Sequence, residues 1–525
     1  MIQFEDEHLL VVNKPAGWNT HAPSPYAGEG VYDWLRQREP RWAALALLHR
    51  LDKETSGLMV FGKTPAANRS LTEQFTQHQV RKTYRLLTDR VVPKSEFSVI
   101  SAIARLGERY VSRPLPSGGE RAETHFRVAG SAEGLTELIA QPVTGRTHQI
   151  RVQAASQGFP ILGDELYGGS PFHRVCLHAT ALEFRHPVTG EPLRFEAPVD
   201  FHSTDDGLRA AIIDPRQTDA FRLLHGASDE RPGRYLDRLG SYLLWQSDSP
   251  VAEFGCGEEA GVEALAEVAG VYHKALLRQV RQTAAAEASP RLVRGVAAPE
   301  PLVVRENGVP FELSFSEGYS VGLFLDQRDN RRRFLVNHVA AGFPLFPGGA
   351  GGREVLNTFA YTCAFSVCAA RAGARTTSLD LSRKYLEWGR RNFIRNGLDP
   401  AGHDFIYGDA FAWMKRLARK GRRFDAVVLD PPTFSQSKEG GVFRAETDYG
   451  LLVAAALPLL KPEGVLLASS NAARWKPEAF LESVLSAVAN LGRKVTQQHY
   501  APQPPDFPVT RSEPAYLKTV WLRVI

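Results

Sequence analysis

The stretch HRLDKETSGL, from His49 to Leu58, decides the fold of the first part of the chain. It places the carboxylate of Asp52 between basic residues and leads into the apolar run GLMVFGK (57–63). A second apolar run, HLLVV (8–12), lies upstream. Short apolar runs bounded by Gly or Pro predict buried strands, whereas residues 65–79 begin with Pro and keep helical spacing. The pattern indicates an α+β domain with a mixed sheet.

Four more strings accompany this stretch along the chain. They are NKPAGW (13–18), RKTYRLL (81–87), GRTHQIRVQ (145–153) and GDELYGG (163–169). Together, in this order, the five strings resemble the RluA-type pseudouridine synthases of RNA. The resemblance covers residues 1–205 and implies an enzyme that isomerises uridine to pseudouridine. Because the product is an isomer of the substrate, no cofactor is expected for this half.

The resemblance gives the central chemical role to Asp52. It would act either as a nucleophile or as a base, and the sequence leaves both open. Burial raises the pKa of a carboxyl group and a nearby guanidinium lowers it, and the family places such a partner, joined by paired hydrogen bonds, at Arg151. The target uridine must be flipped out of its stack at a cost of about a few kcal/mol. Tyr84 matches the family's tyrosine, which stacks on the extruded base.

Basic side chains in the same strings are expected to contact phosphates, which positions RNA without reading its sequence. This set consists of Arg50, Lys53, Arg81, Lys82 and Arg146. Two histidines, His49 and His148, are interpreted as structural or RNA-facing, because the family chemistry implied by the resemblance uses no histidine.

The second half of the chain alternates predicted strands and helices. The strand-bearing strings are EVLNTFAYTCAFSV (354–367), TTSLDLS (376–382), YGDA (407–410), FDAVVLDPPTF (424–434) and GVLLASSN (464–471). Residues 383–396 and 450–460 have helical character. This alternation predicts an α/β, doubly wound, Rossmann-like sheet, in which ligands bind at the carboxyl ends of the strands.

The order of these strings resembles the class I S-adenosylmethionine-dependent methyltransferases. It is similar in particular to the RlmI/RlmK group, which acts on large-subunit ribosomal RNA. The resemblance rests on GLFLDQRDNRRRF (322–334), the Asn-x-Phe-x-Tyr-Thr loop (357–362) and DPPTFSQSK (430–438). It implies S-adenosylmethionine as the cofactor of this half, and it implies no metal.

Residue roles in this half follow from the resemblance, position by position. The loop with Asn357, Phe359 and Tyr361 would pass under the methionine part of the cofactor. Asp380 would accept hydrogen bonds from the ribose hydroxyls, and Asp409 would reach the adenine amino group. The wall where methyl donor and base meet would consist of Asp430, Pro431 and Pro432, and Arg328 is a further expected cofactor contact. Cys363 stands where the group usually has glycine, so its side chain is expected to crowd the cofactor.

The atom that is methylated is predicted from the absence of a cysteine after the fifth strand. Carbon 5 of cytosine becomes nucleophilic only after a cysteine thiolate adds to the ring, and the cytosine-directed members place that cysteine after the fifth strand. Here that strand ends in Ser469-Ser470-Asn471, and no cysteine occurs from residue 369 to 525. Guanine N7 has its own lone pair and needs only orientation. N7 of guanine is therefore favoured over C5 of cytosine, with other base atoms open.

The length of 525 residues suggests two to four domains. We predict a synthase domain over 1–205, a small β-rich connecting domain over 206–310 and a methyltransferase domain over 311–525. The middle segment TDAFRLLHGASDERPGRYLDRLGSYLLWQ (218–246) resembles the small domain that precedes the catalytic domain in RlmI-type enzymes. Its expected role is RNA contact and domain spacing, and a purely structural linker is the alternative.

Bulk properties agree with RNA as the partner. The net charge is +5 and the pI is near 8.9, which is mildly basic. The four cysteines lack metal spacing and favour a reducing interior, and no signal peptide or membrane-spanning run is evident, so a cytoplasmic location is expected.

Taken together, the strings predict a bifunctional RNA modification enzyme acting on ribosomal RNA, with 23S RNA expected and transfer RNA as an alternative. Covalent linkage would raise the effective concentration of the second site near RNA held by the first. One rival is an active synthase whose methyltransferase half is only an RNA-binding platform. A second rival is a non-catalytic ribosome-assembly factor that retains both folds.

Overall fold

The computed structural model describes residues 1–203, 207–248, 268–276, 288–318, 320–437 and 441–525. The chain forms two compact units. The first consists of Met1–Pro23, Glu29–Leu35 and Ala44–Ile212, and the second of Ser24–Gly28, Arg36–Ala43 and Ile213–Ile525. Parts of the predicted connecting domain, and Lys438 at the end of the DPPTFSQSK string, lie outside the described residues. The predicted domain boundaries stay predictions.

The first unit is built on one mixed sheet. Its strands are β1 (Ile2–Glu5), β2 (Leu9–Lys14), β3 (Ala46–Leu47), β4 (Ser56–Gly62), β5 (Arg81–Thr88), β6 (Glu96–Leu106), β7 (Arg109–Arg113), β8 (Glu120–Ala132), β9 (Leu135–Pro142), β10 (Leu177–Arg185) and β11 (Pro192–Glu196). The order is β1-β2-β4-β10-β5-β9-β8-β6-β7, with β11 beside β10 and β3 beside β4. Strands β4 and β10 run parallel and the other neighbours antiparallel, which confirms the predicted mixed sheet.

Four helices belong to the same part of the chain. They are α1 (Val31–Arg38), α2 (Pro65–Thr76), α3 (Gln149–Ser156) and α4 (Leu208–Ile212). Thr64 caps α2 by accepting a hydrogen bond from the backbone of Ala67, and Pro65 occupies its first position. The helix ends before the predicted residue 79, because His78 adopts a left-handed backbone with φ of 56°. The side chains of Leu9, Leu58 and Leu71 form part of the core between helix and sheet.

The second unit begins with small sheets. Its first strands are β12 (Ala220–His225), β13 (Arg234–Leu239), β14 (Tyr242–Ser247), β15 (Gly270–Ala275), β16 (Arg291–Gly295), β17 (Leu302–Glu306), β18 (Val309–Leu313), β19 (His338–Ala340) and β20 (Phe343–Pro344). Strands β12 to β16 form a five-stranded sheet in chain order, in which only β14 and β15 pair in parallel. Strands β17–β18 and β19–β20 form two separate hairpins.

A seven-stranded sheet follows. The remaining strands are β21 (Glu354–Thr358), β22 (Arg375–Asp380), β23 (Asp404–Tyr407), β24 (Phe424–Leu429), β25 (Phe434–Ser437), β26 (Gly441–Arg444), β27 (Leu460–Ser470), β28 (Val495–Ala501) and β29 (Lys518–Val524). The sheet order is β23-β22-β21-β24-β27-β29-β28, and β25 pairs only with β26. Its first five strands are parallel and β29 is antiparallel, which confirms the doubly wound sheet.

Helices cover this sheet. They are α5 (Arg328–Leu335), α6 (Ala364–Arg371), α7 (Arg383–Arg395), α8 (Ala410–Arg419), α9 (Ala445–Ala456) and α10 (Pro477–Asn490). The predicted helix over 450–460 begins five residues earlier and stops at Ala456, because Pro458 lacks the backbone N–H that would continue it. Among the described residues no helix is long and apolar enough to cross a bilayer.

Two candidate active sites

The loop between β3 and β4 carries Asp52 into a cavity of about 670 Å³ in the first unit. Tyr84 on β5 and Arg151 on α3 line the same cavity. The loop is closed by a turn in which the backbone N–H of Thr55 donates to the carbonyl of Asp52 at 3.2 Å. Three residues that lie far apart in the sequence therefore meet in one cavity.

Arg151 is the buried centre of this cavity wall, with 2% of its side chain exposed. Its Nε and Nη2 donate to the two carboxylate oxygens of Asp164 at 2.7 and 2.8 Å. The remaining Nη1 lies 3.0 Å from Glu54 Oε2 and 3.6 Å from Asp52 Oδ2. The predicted paired hydrogen bonds are thus made with Asp164, because this carboxylate is buried and requires two donors, and Asp52 receives the remaining charge at longer range.

Lys14 fixes the Asp52 loop from below. Its ammonium group is fully buried and donates to the backbone carbonyls of Pro15, Trp18 and Lys53 at 3.0, 2.7 and 3.2 Å. These bonds join the NKPAGW segment to the residue that follows Asp52. Burial lowers the pKa of Lys14 to about 7, against the opposing charges of Asp52 and Glu54.

Tyr84 stands between β9 and β10, opposite Ala140 and Ala179, and 9% of it is exposed. Burial, and then the charge of Asp52, raises the pKa of its hydroxyl well above the ordinary value. The ring is therefore a neutral phenol at any ordinary pH and offers an apolar face to the cavity. Its predicted stacking role stays a prediction.

Four of the five basic residues predicted to bind RNA line the cavity, namely Arg50, Lys53, Lys82 and Arg146. Arg81 is exposed and lies outside the lining. Arg146 also donates to Glu120 at 2.8 Å and to the carbonyl of Arg121 at 3.2 Å. A positively charged rim surrounds the opening around Asp52.

Two histidines also line this cavity. His49 stacks on Phe75, with ring centroids 4.9 Å apart, and its Nε2 accepts a hydrogen bond from the backbone of Val60 at 3.1 Å. Burial lowers the pKa of His49 to about 3, so it is a neutral, structural histidine. His148 faces Asp52, with Nε2 4.0 Å from Oδ1, and it binds Tyr167 through Nδ1.

The second candidate site lies in the second unit, where β22 and β23 end beside the loop that follows β21. A cavity of about 20 Å³, the space of a single water molecule, is lined there by Phe359, Leu379, Asp380, Leu381, Gly408, Asp409, Ala410, Phe411, Ser435, Gly441 and Phe443. Three of the predicted cofactor contacts, Phe359, Asp380 and Asp409, therefore meet at the expected edge of the sheet.

Asp380 shapes the loop after β21 as well as lining the cavity. Its carboxylate accepts hydrogen bonds from the backbone N–H groups of Tyr361 and Ser382, both at 2.8 Å. Phe359 and Tyr361 have positive φ angles of 55° and 50°, which few residues other than glycine adopt. Burial raises the pKa of Asp380, while the backbone donors lower it. The carboxylate thus compensates a loop of strained backbone.

Cys363 does not crowd this cavity, contrary to the expectation from its position. Its side chain is fully buried against Gly389 of α7, where an added Cβ would lie 2.3 Å from the Cys363 Sγ. The residue itself has a φ of 63°, which explains why glycine suits the position. The sulfur occupies the space that Gly389 leaves, and Cys363 is not among the residues that line the cavity.

Three residues that were predicted to contact the cofactor make hydrogen bonds or ion pairs with other residues. Asn357 is buried in β21 and donates to Ser366 Oγ at 3.0 Å. Arg328 forms a buried ion pair with Asp506, with distances of 2.8 and 2.6 Å. Tyr361 donates to the carbonyl of Ser320 at 3.1 Å. None of these three side chains lines the 20 Å³ cavity, so their predicted contacts with the cofactor would require another part of the site.

Asp430 directly follows β24, and its side chain is hydrogen-bonded to Ser469 and Gln327. Burial, and then the negative charge of Asp326, raises the pKa of Asp430 to about 7. Pro431 is buried, and Pro432 is exposed. At neutral pH this carboxyl group can therefore donate as well as accept a hydrogen bond.

The side chains at this edge fit S-adenosylmethionine in chemical type. Asp380 and Asp409 are acceptors suited to ribose hydroxyls and an adenine amino group. Phe359 and Phe411 both pack near Phe443, at centroid distances of 6.3 and 6.0 Å, and are apolar rings suited to contact a purine. Ser435 of β25 and Phe443 of β26 line the same cavity.

Comparisons with known proteins give a family for each part of the chain. A family model described as RNA pseudouridylate synthase matches residues 8–156, and one described as S-adenosylmethionine-dependent methyltransferase matches residues 269–523. The first part is 43% identical to ribosomal large subunit pseudouridine synthase C of Yersinia pestis, over 38% of this chain and 65% of that protein. The second is 34% identical to a ribosomal RNA large subunit methyltransferase of Deinococcus radiodurans, over 60% of this chain and 76% of that protein.

The chain belongs to both families. A solved structure of a protein described as a methyltransferase, complexed with SAH, supports the second assignment, with a TM-score of 0.50 and 28% identity over 58% of this chain and 76% of its own. The pseudouridine synthase part covers slightly less than two thirds of the Yersinia protein's length. The predicted combination of an isomerase family and a transferase family is confirmed.

Both candidate sites contain residues that the sequence patterns did not single out. Asp164 holds Arg151, and Glu54 shares its third nitrogen. Phe443 and Phe411 line the second cavity. Asp164 lies in the GDELYGG segment, which could have identified it as a site residue. No local sequence signal, however, identifies Arg151, 13 residues away, as its partner. Phe443 lies beyond every quoted string.

Proposed function

We propose that this chain isomerises a uridine of large-subunit ribosomal RNA to pseudouridine and methylates a base of the same class of RNA with S-adenosylmethionine. The observation that carries the first activity is the meeting of Asp52, Tyr84 and Arg151 in one cavity with a basic rim. The observation that carries the second is the meeting of Asp380 and Asp409 at the edge of the parallel sheet.

In the first site, the flipped uridine would enter the cavity beside Asp52, at a cost of about a few kcal/mol for unstacking. Tyr84 would stack on the extruded base and offset part of that cost. Asp52 would act as nucleophile or base at the ribose or uracil. Arg151, held by Asp164, places a fixed positive charge 3.6 Å from the Asp52 carboxylate. Arg50, Lys53, Lys82 and Arg146 would contact flanking phosphates.

In the second site, S-adenosylmethionine supplies an electrophilic methyl group when bound. Asp380 would hold the ribose and Asp409 the adenine amino group. Asp430, next to Pro431 and Pro432, would face the base that accepts the methyl group. Because the Asp430 carboxyl has a pKa of about 7, it can donate a hydrogen bond to a carbonyl oxygen of that base. Its role is to orient the base.

Guanine N7 is the atom we favour for methylation. Attack from carbon 5 of cytosine needs a thiolate, and the segment from residue 369 to 525 contains no cysteine. Cys363 and Cys368 are buried, and burial raises the pKa of both thiols, which keeps them protonated and unreactive. N7 needs no activation beyond orientation. Cytosine C5 remains the alternative that product analysis would detect.

Two alternatives to this function follow from particular features of the chain. Cys363 is the residue that suggests a methyltransferase half that only binds RNA, and against this alternative its side chain packs against Gly389 and does not line the 20 Å³ cavity. Transfer RNA is an alternative substrate, because the basic rim contacts phosphates without regard to sequence. We also propose that the β-rich region within residues 206–310 contributes RNA contacts.

The test is nucleoside analysis of unmodified ribosomal RNA after incubation with the purified chain, with and without S-adenosylmethionine. Pseudouridine has the mass of uridine, so it is identified by retention time. The proposal predicts pseudouridine in both samples and 7-methylguanosine only with the cofactor. Pseudouridine without any methylated base would favour the platform, 5-methylcytidine would overturn the N7 assignment, and no product at all would overturn the proposal.

A further inference from the structure

A histidine–tyrosine pair lies at the edge of the cavity that holds Asp52. His148 lines this cavity, and its Nε2 lies 4.0 Å from Asp52 Oδ1. Its Nδ1 lies 2.7 Å from the hydroxyl oxygen of Tyr167. Neither residue has a part in the chemistry proposed above.

The hydrogen bonds of Tyr167 decide which nitrogen of His148 carries the proton. The Tyr167 hydroxyl oxygen accepts the backbone N–H of Tyr110 at 3.2 Å. The hydroxyl proton is then available for the bond to His148 Nδ1, and we assign this nitrogen as the acceptor of that bond. In neutral histidine the other nitrogen, Nε2, then carries the hydrogen. This N–H group faces Asp52 and the cavity.

The charge state of His148 follows from its surroundings. Burial and the positive charge of Arg151 lower the pKa of His148, while the carboxylates of Asp52, Glu54 and Asp164 oppose them. Burial also raises the pKa of Tyr167. The ring is therefore neutral near pH 7, and Tyr167 keeps its proton. The pair is a fixed hydrogen-bond donor and is poorly suited to transfer a proton.

The geometry points to a role for His148 that rests on the proposed synthase activity: its Nε2–H stabilises the uracil anion that forms when the glycosidic bond breaks. In that step the electron pair of the C–N bond leaves with the base and its charge spreads onto the carbonyl oxygens, while C1′ gains either a bond to the Asp52 carboxylate or, when Asp52 removes the C2′ proton, a double bond to C2′. Nε2–H donates a hydrogen bond to one of these oxygens, and no proton is transferred. A preorganised donor of this kind stabilises the transition state more than the ground state.

The backbone supports this placement. His148 has a φ of 55° and stands just before the first residue of α3, two positions before Ile150 and three before Arg151. The same helix start therefore presents both the neutral donor and the fixed guanidinium to the cavity. Tyr167, which fixes the histidine, also lies under the guanidinium of Arg151, 5.3 Å from its ring centroid. One local structure positions both groups around Asp52.

The test compares variants of the full chain by single-turnover formation of pseudouridine at saturating enzyme. His148→Asn tolerates the left-handed backbone but is too short to reach, and we expect its rate to fall about 30–300-fold, as for loss of one preorganised donor. His148→Gln retains an N–H at similar reach, and its rate should stay within about tenfold of the parent. Tyr167→Phe removes the hydroxyl group that fixes the tautomer of His148, so pseudouridine formation should slow about three- to tenfold.

Dissociation constants for RNA, thermal melting and methyl transfer by the same variants serve as controls, with His125→Gln on the exposed face of β8 as the matched substitution. The inference predicts that RNA affinity changes by less than about threefold in all of them. A His148→Asn variant with a parental rate, or a loss that glutamine does not rescue, would overturn it. A parent chain that forms no pseudouridine would instead overturn the proposed function on which the inference rests.

Discussion

Arg151 donates to both carboxylate oxygens of Asp164, at 2.7 and 2.8 Å, and reaches Asp52 only with its third nitrogen, at 3.6 Å. Arg151→Lys should therefore lower the rate of pseudouridine formation about 100-fold, because an ammonium group cannot satisfy Asp164 and face Asp52 together. The rate is measured on ribosomal RNA at saturating concentration. Arg194→Lys, on an exposed pair with Glu183, is the control and should keep the parental rate.

Asp164 is the other partner of the Arg151–Asp164 ion pair, and removing its carboxylate tests stability as well as activity. Asp164→Ala leaves a buried guanidinium without its main partner, which typically costs about 3–5 kcal/mol. We expect a lower melting temperature of the first unit and loss of pseudouridine, with methyl transfer retained at temperatures below the transition. An Asp164→Ala chain that melts like the parent would contradict the assigned role of the pair.

Lys14 links two loops under Asp52, and Lys14→Met should break this link while filling a similar volume. The variant loses three hydrogen bonds to backbone carbonyls, so we expect kcat for pseudouridine to fall about tenfold with little change in RNA affinity. The measurement is the split between kcat and KM. A change confined to KM would instead place Lys14 in RNA binding.

The lowered pKa of Lys14 has a consequence for the pH dependence of stability. The folded state loses this proton near pH 7, whereas the unfolded state keeps it to about pH 10.5. Between these values the unfolded state binds more protons, so this residue makes stability rise with pH. Lys14→Met should remove that rise, which denaturant unfolding at pH 6 and pH 9 would detect as a smaller difference than in the parent.

Asp380 should be needed for cofactor affinity in the methyltransferase site. Asp380→Asn weakens the acceptor for the ribose hydroxyls and the bonds that hold the Tyr361 loop, so we expect the Kd for S-adenosylmethionine to rise about 10–100-fold by calorimetry. Asp399→Asn, at the start of an exposed turn, is the matched control. Equal affinities of the two variants would remove Asp380 from the site.

Asp430 is predicted to make stability fall as the pH rises, which is opposite to the effect of Lys14. Its folded-state pKa of about 7 lies above the ordinary value of 3.8, so the folded state holds a proton that the unfolded state loses. Stability should therefore fall as the pH rises from about 4 to 7, through this residue alone. Asp430→Asn should be more stable than the parent at pH 8, on the order of 1–3 kcal/mol, and similar to it at pH 4. Equal pH dependence of the two chains would contradict this assignment.

Much of the architecture could be predicted from the sequence because it depends on residues that are close to one another in the chain. The runs 9–12 and 426–429 contain only apolar residues, and both lie in buried strands. Asp380 ends β22 and Asp409 follows β23, and both line the predicted edge of the sheet. Order along the chain was sufficient for these features.

Features that depend on distant partners could not be predicted in this way. The paired bonds of Arg151 were expected at Asp52 and are made with Asp164, because burial, which no string reveals, determines which carboxylate needs two donors. Cys363 was expected to crowd the cofactor, and the space that accepts its sulfur is created by Gly389 on another helix. Helix ends also shifted, where His78 and Pro458 broke the periodic pattern.

The central claim is that one chain holds two independent active sites, and separate inactivation of each site tests it most directly. Ribosomal RNA treated with S-adenosylmethionine and the parent, Asp52→Asn or Asp380→Ala chain would be digested and its nucleosides quantified. We predict that Asp52→Asn loses pseudouridine and keeps the methylated base, while Asp380→Ala loses the methylated base and keeps pseudouridine. Loss of both products in either single variant, with the fold intact, would contradict the account.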